Sequence, residues 1–130
     1  DRKAVVKIAE SVSAYADKGL MSLVLRNLVG NAWKYTAQKD STEIEFGVTG
    51  ISGNEIYFVR DNGVGFEMVW AKKLFQPFQR LHAASEFEGT GIGLAIVKRA
   101  LNRHLGDVWC ESAPGLGTTF YFTVGHSNGN

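Results

Sequence analysis

Between residues 18 and 35, Met21, Leu25, Leu28, Ala32 and Tyr35 recur at spacings of four and three, which predicts a helix with one buried stripe. The period then changes. Residues 43–51 and 55–60 read as a strand pair, with Ser52, Gly53 and Asn54 supplying turn chemistry between them. Residues 67–75 form a short helix candidate that ends before Pro77. Helical spacing returns over 93–105, with Leu94, Ile96, Val97, Ala100 and Leu101 on the apolar side. Residues 107–111 and 118–124 complete the pattern as two strands around a turn at 114–117. The opening stretch, 5–17, mixes β-branched and small residues and reads as one or two short strands. Residues 79–90 are polar, small and aperiodic; a loop of that length inside a compact domain is uncommon and usually functional. This mixed order predicts the α/β class: a two-layer sandwich, with a mixed sheet covered on one face by about three main helices.

Composition narrows the picture. The 130 residues fit one domain, 45% apolar and 21% charged, with a frayed tail expected over 125–130. Fourteen basic side chains against thirteen acidic ones make no general electrostatic case for nucleic acid or a membrane surface. Cys110 stands alone, which excludes an internal disulfide and suits a reducing compartment. No apolar run approaches the ~18 residues of a membrane span. Asp1 in place of an initiator Met leads us to expect a domain taken from something longer. Glycine is the outlier, because seven of the 15 fall in tight clusters: Gly63 and Gly65, then Gly89, Gly91 and Gly93, then Gly115 and Gly117. Clustered glycines mark sharp turns or close approaches of the backbone.

Several groups of residues carry candidate chemistry. Asn27, Asn31 and Lys34 lie within about 60° of arc along the first helix, beside its apolar stripe. Amide oxygens ligate hard cations such as Mg²⁺ and an ammonium neutralises phosphate, although a solvated helix face fits the same spacing. Asp61, in Asp61-Asn62-Gly63-Val64-Gly65-Phe66, shares a strand face with Tyr57 and Val59, which sets its carboxylate at the rim of an apolar pocket. A carboxylate there accepts from an exocyclic amine, and Gly63 and Gly65 let backbone approach a flat ring; a plain Asp-Asn-Gly turn is the alternative. Gly89, Thr90, Gly91, Ile92, Gly93 and Leu94 open a helix, where exposed N–H groups favour an anion. The spacing matches neither a P-loop nor a dinucleotide fingerprint. Phe75 and Phe78 read as core anchors that pin both ends of the loop, and Arg80, just inside it, either swings toward a terminal phosphate or remains solvated.

In chain order, NxxxNAxKY, DNGVGF, FxPFxR, GTGIGLA and GLGTTF resemble the ATP-binding catalytic domain of sensor histidine kinases, over essentially residues 20–124. That resemblance implies the Bergerat fold, shared with gyrase-like, mismatch-repair and chaperone ATPases, and Mg-ATP as ligand. It implies that Asn31 is the Mg²⁺ ligand, with Asn27 one turn earlier near the metal or its waters. Lys34 becomes a phosphate-side contact and Tyr35 a ribose-side one; Asp61 becomes the adenine-reading carboxylate, with Gly63, Gly65 and Phe66 around the ring. Phe75 and Phe78 become the hinge of a lid carrying Arg80, and Gly89, Thr90, Gly91, Ile92, Gly93 and Leu94 its phosphate-facing end. Asn27, Lys34 and Arg80 are the candidate catalytic residues. Thr118 is preferred to Thr119 as the hydroxyl that helps Asp61 hold a water, because Thr118 shares a strand face with Phe120, Phe122 and Val124.

The ATPases of this fold typically carry a glutamate where Asn27 stands, so activation of a hydrolytic water should be poor. Two departures are visible. His104-Leu105-Gly106 stands where such kinases often show His-Gly-Gly, so the helix end should cap differently. The lid is short, ending Glu86-Phe87-Glu88-Gly89, a form similar to phytochrome-type and hybrid kinases. The resemblance also implies partners: an N-terminal dimerisation domain bearing the acceptor histidine, and a downstream response regulator. His82, His104 and His126 lack an acceptor's context, so the chain alone should bind Mg-ATP without phosphorylating itself. The parent should be a homodimer, the isolated domain a monomer facing the cytoplasm, with no nucleic-acid or direct membrane contact. A degenerate docking module and a protein-serine kinase of the same fold are the alternatives. Trp33 lies away from the apolar stripe, as an edge-packed residue or a contact for a partner domain.

Overall fold

Alternation along the strands decides which face of the sheet is covered. In β5 (Thr118–Thr123) Thr118, Phe120 and Phe122 are buried while Thr119, Tyr121 and Thr123 are half-buried. In β3 (Ile56–Asp61) the buried set is Tyr57, Val59 and Asp61. These strands pair antiparallel with Tyr57 opposite Phe122, Val59 opposite Phe120 and Asp61 opposite Thr118, so the buried sets form one continuous apolar face. The structure, a computed structural model, describes residues 3–8, 18–50, 55–75 and 90–125. Within them one mixed sheet has the order β1-β2-β3-β5-β4, where β1 is Lys3–Ile8, β2 is Ser41–Thr49 and β4 is Asp107–Ser112. β1 runs parallel to β2 and the other neighbours are antiparallel. The predicted strand from residue 5 onward is β1; residues 9–17, the turn at 52–54, the loop over 79–89 and the tail at 126–130 lie outside the described residues.

Helix α1 (Lys18–Tyr35) has the predicted bounds but not the predicted stripe. Its buried apolar residues are Leu20, Val24, Leu28, Ala32 and Tyr35, whereas Met21 and Leu25 are half-buried at the flank. Leu20, Met21, Val24, Leu25, Leu28 and Val29 form a broad apolar arc, and only docking on the sheet decides which line of it is central. The short helix is a 3₁₀ turn at Met68–Trp70 followed by α2, a single α-turn at Ala71–Leu74 that buries Leu74. Two long helices therefore cover the sheet among the described residues, rather than three. The second, α3, spans Thr90–Arg103, three residues earlier in its start than predicted. Its glycines are thus part of the first helical turn and not of a loop before it; the low helix propensity of glycine obscured this. Leu94, Val97 and Leu101 are fully buried, but Ile96 is 44% exposed and off the apolar face assigned to it.

Aromatic rings fill the space between the layers. Tyr57 stacks on Phe122 with centroids 5.3 Å apart, and Phe75 meets Phe120 edge-on at 6.1 Å. The expectation of a different cap at His104-Leu105-Gly106 meets a regular hydrogen-bonded ending of α3. Leu105 takes the left-handed conformation (φ 64°), the Gly106 N–H donates to the Leu101 carbonyl at 2.8 Å and the Leu105 N–H to Asn102 at 3.1 Å. That is a Schellman ending with leucine in the position usually filled by glycine. No helix among the described residues is long and apolar enough to cross a membrane.

Candidate functional site

Asp61 ends β3 on the covered face and is only 5% exposed. Its Oδ1 accepts the N–H of Gly63 at 2.7 Å and that of Thr118 at 3.3 Å. Its Oδ2 is buried and has no hydrogen-bond partner among the described residues. Burial pushes the carboxyl up to about 6 from the ordinary 3.8, against the lowering effect of the two N–H groups. A buried acceptor left open costs roughly 1–3 kcal/mol, and it is a place where a ligand's donor is favoured.

The chain after Asp61 is held from three sides. The Val64 N–H donates to the Tyr35 carbonyl at 3.2 Å, which ties the segment to the end of α1. The Gly115 N–H donates to the Val64 carbonyl at 2.6 Å, and the Phe66 N–H to Ser112 Oγ at 2.9 Å, which tie it to the β4–β5 turn. Asn62 extends the ladder to β2: its Oδ1 accepts the Glu43 N–H and its Nδ2 donates to the Ser41 carbonyl, both at 2.9 Å. The glycines follow from this close stitching. Gly65 has φ +70°, and a Cβ there would collide with the Ala113 carbonyl oxygen. A Cβ at Gly63 would lie 2.5 Å from the Tyr35 carbonyl oxygen. Their expected role was to let backbone approach a ring; the structure shows that the protein's own main chain already requires them.

Thr118 is buried beside Asp61 as strand parity predicted, and its hydroxyl lies 2.8 Å from Ser112 Oγ. Tyr35 is 4% exposed, and its phenol is pushed up by burial and by the nearby Asp61 carboxylate. Its side chain therefore packs in the core close to Asp61. Phe66 and Leu94 are buried in the core at 5% and 0% exposure. Phe75 packs against the core, as an anchor should. Arg80, Phe78 and Gly89 lie outside the described residues.

The polar stripe of α1 leads away from this end. Tyr35 touches the segment after Asp61 through its carbonyl; Asn31 is about 6 Å and Asn27 about 12 Å back along the helix axis. Asn31 is 6% exposed, Asn27 half-buried and Lys34 exposed. Asn27 Nδ2 donates to the Leu23 carbonyl at 2.8 Å, which turns its amide oxygen away from the helix backbone. Among the described residues no three His, Cys, Asp or Glu side chains gather to cage a metal; amide oxygens in general suit hard cations. Thr90, Gly91, Ile92 and Gly93 form the first turn of α3, whose N–H groups lack intrahelical acceptors and favour an anion. Asn62 and Ser112 were missed from sequence: Asn62 was visible only as part of an Asp-Asn-Gly turn, and Ser112 has no local signal.

The chain matches the family described as histidine kinase-, DNA gyrase B- and HSP90-like ATPases over residues 16–128, and it belongs to that family. It is 36% identical over 121 residues to the phytochrome-like protein Cph1 of Synechocystis sp., covering 93% of this chain and 16% of that protein. It is 34% identical over 112 residues to the sensor histidine kinase WalK of Bacillus subtilis, covering 83% and 18% respectively. The solved catalytic domain of histidine kinase ThkA superposes with a TM-score of 0.74 at 25% identity, covering 95% of this chain and 78% of that one. A mycobacterial sensor histidine kinase, MprB, shares the fold at a TM-score of 0.77 and 21% identity, covering 94% and 82%. The family and fold expected from the five motifs are borne out: the chain is an ATPase-type domain of the kind sensor kinases carry, and it spans less than a fifth of the two curated relatives' length.

Proposed function

We propose that this domain binds Mg-ATP and donates the γ-phosphoryl group to a histidine on a separate dimerisation domain of a two-component sensor kinase. The observation that carries the reading is the buried Oδ2 of Asp61, which has no partner among the described residues and suits the exocyclic amine of adenine. Asn31 would hold Mg²⁺ with Asn27 near its waters, and Lys34, Arg80 and the first turn of α3 would meet the phosphates. Bound Mg²⁺ would neutralise charge on the β- and γ-phosphate oxygens. An amide at position 27 takes no proton, which supports transfer to an imidazole over hydrolysis. A neutral imidazole is already nucleophilic, so the domain's own residues need only bind and orient the phosphates.

In this reading the chain is one domain of a longer, homodimeric parent. Its acceptor domain and a response regulator are its protein partners, and it works in the cytoplasm. Exposed Trp33 supports a contact with a neighbouring domain. Calorimetric titration of Mg-ATP tests the pocket: binding should weaken by about 100-fold in Asp61→Asn and lose its Mg²⁺ dependence in Asn31→Ala. No binding by the folded chain would point instead to a docking module. Acid-labile radiolabel on the isolated chain would overturn the separate-acceptor assignment, and alkali-stable phosphoserine on a partner would indicate a serine kinase.

A further inference from the structure

Charge nearly cancels over the whole chain, but not along α3. From residue 90 to 106 the sequence holds Lys98, Arg99 and Arg103 and no acidic residue. At about 100° per residue, Ala95, Lys98, Arg99 and Asn102 fall to one side of the buried line Leu94, Val97 and Leu101. Lys98 reaches Asp107, the first residue of β4, at 2.8 Å, so this flank looks toward the β4 end of the sheet. β4 is the last strand in the sheet's order, and among the described residues no further strand covers that side. There the flank and Phe75, which follows α2, line an open hollow of about 460 Å³ with Ala95, Lys98, Arg99, Asn102 and Arg103. The helix itself accounts for one of these cations: Arg103 lies in the last turn, where a positive charge meets the carbonyl ends. That effect fades within a turn and does not call for Lys98 and Arg99. Asp107 answers Lys98, whereas Arg99 and Arg103 are exposed and have no ion-pair partner among the described residues.

The shape of the hollow selects among anions. Small-molecule pockets enclose their ligand and are mostly apolar, whereas this one is open and four of its six lining residues are polar or charged. A bilayer presents a plane, which does not enter a hollow. A nucleic-acid backbone is tracked by a longer run of cations, and a net charge of +1 supplies no wider field. A polypeptide segment fits, because guanidinium forks match carboxylates and an apolar side chain can cover the Phe75 and Ala95 part of the lining. We propose that the hollow between α2 and α3 is a docking site for an acidic polypeptide segment, whose carboxylates pair with Arg99 and Arg103 while one apolar side chain rests on Phe75 and Ala95. Docking here stands apart from the nucleotide reading: Arg99 lies about 9 Å along the helix axis beyond Gly93, in the turn assigned to phosphate.

An NMR titration of the ¹⁵N-labelled chain tests this, with a short peptide of glutamates around one central leucine as the probe. Amide shifts should map to residues 95–103, and binding should weaken several-fold between about 50 and about 200 mM salt. Arg99→Gln combined with Arg103→Gln should weaken it by about tenfold, the scale of two exposed charge contacts. Arg26→Gln, which removes an exposed cation of α1 outside the hollow, should leave it unchanged. Replacing the peptide's leucine by serine should weaken binding in the chain and in the double variant alike. Mg-ADP affinity should be the same in the double variant as in the chain.

No shifts, or shifts centred elsewhere, overturn the proposal. An equal loss in Arg26→Gln also overturns it, because the attraction is then general and not sited. Inorganic pyrophosphate, a single-stranded oligonucleotide or phosphatidylserine vesicles moving the same amides as strongly would assign the flank to another anion. Dilution of the free chain that moves those amides would assign it to a second copy; either result overturns the acidic segment. The mapping and the salt series use the unaltered chain, so they decide the matter even if the double variant does not fold. A chain that takes the peptide and no nucleotide overturns the nucleotide reading alone.

Discussion

Arg60 and Asp61 are consecutive residues of β3, and the pleat sends them to opposite faces of the sheet. Arg60 faces outward, pairs with Glu45 at 3.1 Å and lies over the Phe58 ring at 5.0 Å. Asp61 faces the core with one carboxylate oxygen open. The charge that could rely on water has a carboxylate partner, and the charge that cannot is left with one oxygen without a partner among the described residues. Selection for stability alone would give the reverse, because an exposed pair adds little and a buried open acceptor costs more. The same split continues across the sheet. Phe120 and Phe122 are sealed inside, while Phe58, Tyr121 and Trp109 form a cross-strand row on the outer face, with Trp109 and Tyr121 stacked at 5.7 Å.

The largest contrast should come from neighbouring aromatics on β5. Phe120→Ala should cost about 3–5 kcal/mol and Tyr121→Ala about 1 kcal/mol in urea denaturation. Equal losses would erase the distinction between the faces.

Next in size is Asp61→Asn, which should weaken Mg-ADP binding by about 100-fold, or about 2.7 kcal/mol, by calorimetry. The same change should stabilise the empty domain. The folded carboxyl titrates at about 6, above its ordinary 3.8, so the folded state holds the proton through that window and stability falls as pH rises across it. At neutral pH the amide should therefore raise stability by about 1–3 kcal/mol, an advantage that vanishes near pH 4. A lower thermal midpoint at pH 7 would break the argument that Asp61 is kept at a cost. Nucleotide affinity should weaken as pH falls below about 6, because protonation removes the charge and turns one carboxyl oxygen into a donor.

Strain without function sharpens the contrast. Leu105 holds a left-handed conformation with its side chain 77% exposed. Leu105→Gly should add about 1 kcal/mol to stability and leave nucleotide affinity unchanged. The smallest effect belongs to the outer ion pair, where a double-mutant cycle on Arg60 and Glu45 should give at most about 0.5–1 kcal/mol, reduced by salt.

Some of this was set by the chain's local pattern. The bounds of α1, the inward side of β3 and β5, and the preference for Thr118 over Thr119 all follow from periodicity, a property carried by a few neighbouring residues. The five ordered motifs carried the family because each is a short run whose order survives any folding. Tertiary structure decided the rest. The line of α1 that is buried depends on the sheet beneath it, and the need for glycine at 63 and 65 comes from main chain more than twenty residues away in each case. The open oxygen of Asp61 and the hydrogen bonds that meet at Ser112 exist only once β4, β5 and the segment after β3 are in register. A hydrogen bond between distant residues leaves no period in a sequence, so the two faces of one strand look alike until the fold gives one of them partners and withholds one from the other.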